Sequence, residues 1–283
     1  MKKPFFLLTV FLLATGIAFS QVSIKLTGGM AYILANDLNK GLQGENDFLT
    51  NEATYVSGEY NKLHMGMNFG GEIIFNFSPN AGIGMGAEYS QIGKESTLDY
   101  TIDIFGQFSE VLNLNIKVIP ITLNFYYYIP AGSSIKFYLK VGAGYYITKF
   151  NMEDSLNAFS LGINTRDSLK VSKGTIGFQG IFGIEFLASE QISFVVEAGG
   201  RYAKLSELTG DWTRKGIDSG VPVYKSGTGS LWYYEWTPLF SRHTYPGIGI
   251  SDREPSAINV TNVRKASLDL TGFSVKAGLK IRF

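Results

Sequence analysis

The sequence predicts an all-β fold, a closed antiparallel transmembrane β-barrel of eight strands, on three observations. Apolar and polar residues alternate with period two over long segments. Short turns and long connections alternate along the chain. Beyond the first twenty residues no apolar run approaches the roughly 20 residues of a helical span, although 45% of the residues are hydrophobic and 14% aromatic, a composition that leaves membrane strands open.

The chain begins with Lys2 and Lys3, an uncharged apolar run from Phe5 to Phe19, and Ala18-Phe19-Ser20 before Gln21. This order reads as a cleaved secretory signal over residues 1–20. Cleavage leaves 23 basic against 24 acidic side chains, a balance that gives no support to nucleic-acid binding. The absence of cysteine excludes disulfides and a lipidated cysteine, and export without disulfides fits a bacterial envelope protein.

Residues 21–283 then form one barrel domain. Val22 to Leu34 and Ile83 to Tyr89 are short or glycine-rich strands. In Met65 to Phe77, apolar Met67, Phe69, Ile73, Phe75 and Phe77 oppose Asn68, Glu72 and Asn76. Leu112 to Ile129 shifts its apolar face near Val118, Ile119 and Pro120, which predicts a bulge because proline cannot donate to the ladder. Ile135 to Thr148 carries a continuous apolar face on its odd residues, for about 14 residues, against the usual 5 or 6. Gly174 to Leu187 and Ile192 to Arg201 repeat the pattern. Ala266 to Phe283 reads as a single amphipathic strand.

Ser78–Gly82, Pro130–Ser134 and Ala188–Gln191 are short connections. Residues 36–64, 93–111, 150–171 and 205–265 are long ones. Strict alternation places the short turns at one end, as periplasmic turns, and the long loops at the other, as extracellular loops. Ten strands are the alternative, should Ser230 to Trp236 pair within the membrane.

Closure in lipid turns the polar faces inward. The inner polar network is then Glu72, Glu88, Lys136, Lys140, Glu185, Glu197, Arg201, Lys276, Lys280 and Arg282, with Lys25, a mixture of signs suited to ion pairs. Eight strands leave room for side chains, not for a wide channel.

The segment Ile116 to Tyr128 (IKVIPITLNFYYY) and the strand Phe137 to Tyr146 (FYLKVGAGYY) resemble the porin-like outer-membrane β-barrel domain family common in Bacteroidetes, with the eight-stranded architecture of the small OmpA and OmpX barrels. The spacing Lys276-x-Gly278-x-x-Ile281-x-Phe283 is similar to the carboxy-terminal signal read by the barrel-assembly machinery. The resemblance implies a bacterial outer-membrane location, in contact with membrane lipid, and carries no shared catalytic site; a monomer is the expected state.

No cofactor or metal site is expected: Asp47, Glu52, Asp99, Asp103, Asp154, Asp211, Asp218 and Asp252 lack calcium-loop spacing and read as a solvated surface. His64 and His243 could join loop Ser and Asp residues in a triad, but no nucleophile motif accompanies them. The connection 205–265 is too long to lie structureless and is expected to form a hairpin extension or a folded cap. It carries Trp212, Tyr224, Trp232, Tyr233, Tyr234 and Trp236, either in an interfacial girdle and strands rising above the membrane or as a loop contact surface for an extracellular ligand. The expected function is a non-enzymatic structural or surface-interaction role carried by these loops. The alternatives are a narrow passive channel for small solutes and a lipid-modifying or proteolytic barrel enzyme.

Overall fold

The computed structural model describes residues 21–283. The expected signal segment, residues 1–20, lies outside the described residues. An antiparallel sheet dominates. Strand β1 (Gln21–Ile33) is followed by a helix, α1 (Asn36–Glu52), and a short strand, β2 (Tyr55–Ser57). Then come β3 (Met65–Ser78), β4 (Ala81–Ile102), β5 (Gly106–Pro130), β6 (Ile135–Ala158), β7 (Ile163–Leu187) and β8 (Ile192–Leu205). After β9 (Thr209–Asp218), β10 (Val221–Trp236), β11 (Tyr245–Ser251), β12 (Val260–Lys265) and β13 (Leu268–Asp269), the last strand is β14 (Gly272–Arg282).

β1 pairs with β3 on one side and with β14 on the other. β3 through β8 pair in sequence order, and β8 pairs with β14. Phe283 adds to the β1–β14 seam by donating its N–H to Val22 O at 2.9 Å.

Four strands are far longer than their alternating cores suggest, with 22 to 25 residues in each of β4 to β7. Two of the expected long loops, 93–111 and 150–171, are therefore mostly strand, with tips at 103–105 and 159–162. The reason is that the pattern inverts without breaking. Along β5 the even residues are buried throughout, from Phe108 to Tyr128. Toward the short turns they are polar or aromatic (Thr122, Asn124, Tyr126), and beyond Val118 they are apolar (Ile116, Leu114, Leu112, Phe108) except for Glu110. The odd residues change the other way, from exposed Ile119, Ile121, Leu123, Phe125, Tyr127 and Ile129 to Lys117, Asn115 and Asn113.

The expected bulge at Val118–Pro120 is absent. The β5–β6 register runs unbroken from Phe108↔Ala158 to Pro130↔Lys136, and Ala87↔Ile121 and Ser90↔Val118 share one register with β4. What changes at this level is the surroundings of each face, not the backbone. β4 and β6 invert at the same height: Tyr89 gives way to Gln91 outside, and Thr148 to Phe150 inside.

The last connection folds into a hairpin extension, as its length suggested. β9 pairs with the far half of β7 and with β10, which also pairs with β11 and β12. β7 thus uses Gly177–Leu187 for β8 and Asn164–Lys170 for β9. The span 266–283 is likewise two strands, because Leu268 and Asp269 pair with Leu205 and Lys204 before β14 begins.

Helix α1 fills the apolar half. Leu38, Leu42, Phe48 and Leu49 are buried, and Gly41 and Gly44 let the helix lie directly on β11: a Cβ at Gly44 would sit 1.9 Å from Pro246 O. Counting Gly as part of the buried face, residues 38, 41, 42, 45, 48 and 49 form one helical stripe.

Candidate functional site

Two interiors are stacked along the strands. In the short-turn half, Lys25 reaches Glu72 at 3.1 Å and also pairs with Glu197. Lys140 lies 3.4 Å from Glu72 and 3.5 Å from Glu197, and Lys276 lies 2.8 Å from Glu88 and 3.7 Å from Glu197. Tyr138 donates to Glu197 at 2.8 Å, Lys25 donates to the Tyr126 hydroxyl at 2.6 Å, and Asn124 donates to Glu72 at 2.7 Å. Three lysines thus face three carboxylates. All are largely buried, and only about 30 Å³ of empty space remains among them, room for one or two waters.

Glu185 pairs with Lys280 at 3.1 Å and with Arg282. Both line a wider vestibule of about 280 Å³ that also includes Lys136 and Tyr128. Lys136 has no ion pair among the described residues. Arg201 makes no ion pair within 4.0 Å among the described residues and donates to Leu270 O at 3.0 Å. Gly278 lies in the β1–β14 seam opposite Thr27, where a Cβ would meet Leu26 O at 1.9 Å. Ile281 faces outward.

In the helix-capped half, a chamber of about 180 Å³ is walled by Leu42, Phe48, Leu49, Leu112, Met152 and Ile248. Three carboxyls enter it from three elements: Glu45 from α1, Glu110 from β5 and Asp154 from β6, with Tyr60 and Tyr100 beside them. Among the described residues no basic side chain lines it. Burial holds the Glu45 carboxyl up at about 8, with the Asp154 charge adding to the effect. Burial also lifts Asp154 to about 6 and Glu110 well above the usual carboxylate range, Asp154 reinforcing the latter. Asp154 is therefore not part of a solvated surface, as its place in an expected loop suggested. Its Oδ1 is buried without a partner.

The helix is tethered at its start by Asp37, which accepts from Arg264 (2.6 and 2.7 Å) and from the Ser267 N–H (2.8 Å) and hydroxyl (2.7 Å). Despite partial burial, these bonds hold the Asp37 carboxyl down at about 2. Asn39 fixes the next turn, donating to Leu34 O and Leu63 O and accepting from the Leu63 N–H.

The aromatics of 205–265 are mostly core. Trp212 is 6% exposed, Trp232 9% and Tyr233 7%. Tyr234 and Trp236 are half-buried along a surface groove of about 480 Å³ with Ile250, Ser251 and Pro255. Only Tyr224, 75% exposed, stands free, so these residues form neither a girdle nor one continuous contact surface.

His64 stacks on Tyr32 with ring centroids 5.0 Å apart. Ser241, His243 and Glu52 meet at the rim, but the Ser241 hydroxyl donates to Glu52, and His243 approaches Ser241 only through its backbone N–H, at 3.0 Å. Among the described residues no group of three His, Cys, Asp or Glu side chains could hold a metal ion.

No protein-family model matches the chain, and no curated protein matches it by sequence. Among solved structures it is similar to the outer membrane protein OprG from Pseudomonas aeruginosa, at 14% identity over 93% of this chain and 97% of that one, with a TM-score of 0.39. It is also similar to the outer membrane protease OmpT from Escherichia coli (10% identity, 93% and 96% covered, TM-score 0.40). A third likeness is to Ail, the attachment invasion locus protein of Yersinia pestis (10% identity, 93% and 97% covered, TM-score 0.29). Superpositions this loose carry no correspondence of residues.

The sequence pattern singled out the inner charges but missed Glu45 and Glu110. Glu45 had a signal, its place in the 38–49 stripe. Glu110 had none, because it lies beyond the level where the strand's faces exchange character.

Proposed function

We propose that the chain is an outer-membrane β-barrel of eight strands, closed to solutes. Its non-enzymatic, structural or surface-interaction role then belongs to the folded half that stands clear of the bilayer. The observation that supports this is the two-faced belt of the short-turn half, with apolar side chains outside and ion pairs inside. A surface such as Ile119 to Ile129, six large apolar residues in a row all at least 40% exposed, is a liability in water and a contact surface in lipid. Ten residue steps at about 3.4 Å, tilted by about 45°, rise about 24 Å, which matches an apolar band of about 25 Å.

The pairing order β1–β3–β4–β5–β6–β7–β8–β14–β1 leaves no open edge at this level, as lipid requires. β9 and β10 attach only beyond the belt, which favours eight spanning strands over ten. On this reading the short turns face the periplasm and the α1-capped chamber faces outward. The barrel is a monomer, and β14 is its signal to the assembly machinery. The proline-containing strand and the glycine–tyrosine strand fit a Bacteroidetes-type porin-like domain.

Reconstitution into planar bilayers, with heat-modified gel mobility measured on the same preparation, tests the reading. The expected result is a heat-shifted band and no steady unitary currents. Steady openings would replace the closed barrel with a narrow channel. Loss of the heat shift and of lipid association would remove the barrel itself.

A further inference from the structure

Helix α1 lies over three carboxyls in a chamber that, among the described residues, no basic side chain lines. We propose that α1 is a pH-operated lid: it stays seated while Glu45, Glu110 and Asp154 hold protons, and it lifts to open the chamber as they lose them. The geometry makes Glu45 the one residue shared by the partly covered chamber and the outer groove of Tyr234 and Trp236. Moving this helix therefore joins the chamber to the solvent.

The surroundings offer the carboxylates little compensation: the Tyr60 hydroxyl favours charge on Glu110 and Arg214 favours it on Asp154, but burial outweighs both. Tyr60, Tyr100 on β4, Glu110 on β5, Asp154 on β6 and Tyr234 on β10 face Glu45, and none is a cation. Asp167 on β7 is the neighbour of Asp154. Its partner Arg214 on β9 is engaged by it through three hydrogen bonds of 2.8 to 3.1 Å. Lys40, on the helix itself, points to solvent.

The sign follows from linkage. A carboxyl whose seated pKa lies above its value in water favours the seated helix fully below about 4.5. That preference is lost as pH rises toward the seated value, about 8 for Glu45. Within this window each carboxyl shifts the seated–open ratio by at most about tenfold per pH unit. Asp37 anchors the start of the helix and stays charged throughout, since its carboxyl lies at about 2. Glu52 holds its end by accepting from Ser241 and Tyr245, so the movement is confined to the middle turns over the chamber. The device rests on the reading above only in needing this half to lie in water.

The chain has no cysteine, so single thiols report cleanly. Variant M152C places a thiol on the chamber wall, with L112C as its replacement should it not fold, and K40C is the exposed control that cancels thiol ionisation. Labelling with a neutral maleimide from pH 5 to 9 is expected to raise the wall-to-control rate ratio at least tenfold. In the E45Q/E110Q/D154N background the ratio is expected to stay within twofold. A flat ratio in the parent, or an equal rise with the amides, overturns the lid. A heat-shifted band in the same samples reports the barrel separately, so failure of the lid is distinguishable from failure of the membrane reading.

Discussion

Glu197 is the hub of the inner network, and E197Q removes its charge while keeping its shape. It is 1% exposed, pairs with Lys25, Lys140 and Lys276, and accepts from the Tyr138 hydroxyl. The variant leaves three lysines facing Glu72 and Glu88 alone. Stranding a buried charge in this way costs about 3–5 kcal/mol, whereas an exposed pair is worth about 0–1. The measurement is urea-induced unfolding of the protein folded into lipid vesicles, followed by the heat-shifted band. In the double variant K25M/E197Q, two lysines face two carboxylates. It is expected to recover more than half of the loss, because removing both partners takes away the uncompensated charge. A loss below about 1 kcal/mol for E197Q, or a double variant as unstable as the sum of the two singles, would refute the buried network.

F182R places a guanidinium on the outward face beside Phe137, whose ring centroid lies 5.9 Å away. It should cost about 2–4 kcal/mol in vesicles if the site is near the bilayer midplane, and no loss there would contradict the lipid face. The inward neighbour Gly183 is no tolerant control, since a Cβ there would sit 2.2 Å from the Tyr138 ring. G44V drives a side chain into Pro246 and should cost about 1–3 kcal/mol of helix docking. Limited proteolysis should then cut within α1 while the heat-shifted band persists; unchanged protection would show that the helix does not depend on this contact. D37N should release the helix start from Arg264. In the parent, protease protection of α1 should fall as pH drops from about 4 through about 2, the range in which a depressed carboxyl takes up its proton and its stabilisation is lost. D37N should lack this acid limb.

The sequence by itself determined the strand faces. Period-two alternation is a backbone property, and a slip of one residue exchanges the two faces, so Phe137, Leu139 and Val141 against Lys136, Tyr138 and Lys140 settle orientation before any partner is known. It also placed Glu72, Lys140, Glu197 and Lys276 on the faces opposite the apolar ones, though not that Lys25 meets Glu197 across 172 residues of chain.

Where the surroundings change along one strand, the pattern misled. The exchange at Val118 reads as a bulge only if a face keeps one character, and burial of the far half under α1 decided otherwise. The helix itself was hidden because two of its contact residues are Gly41 and Gly44, which pack by absence of a side chain, and because its N-cap residue, Ala35, makes no capping hydrogen bond. Tertiary structure alone decided that Trp212 and Trp232 are core and that β7 exchanges β8 for β9. It alone gathered Glu45, Glu110 and Asp154, for burial and proximity of carboxyls 44 to 109 residues apart are properties of the packed chain, not of local pattern.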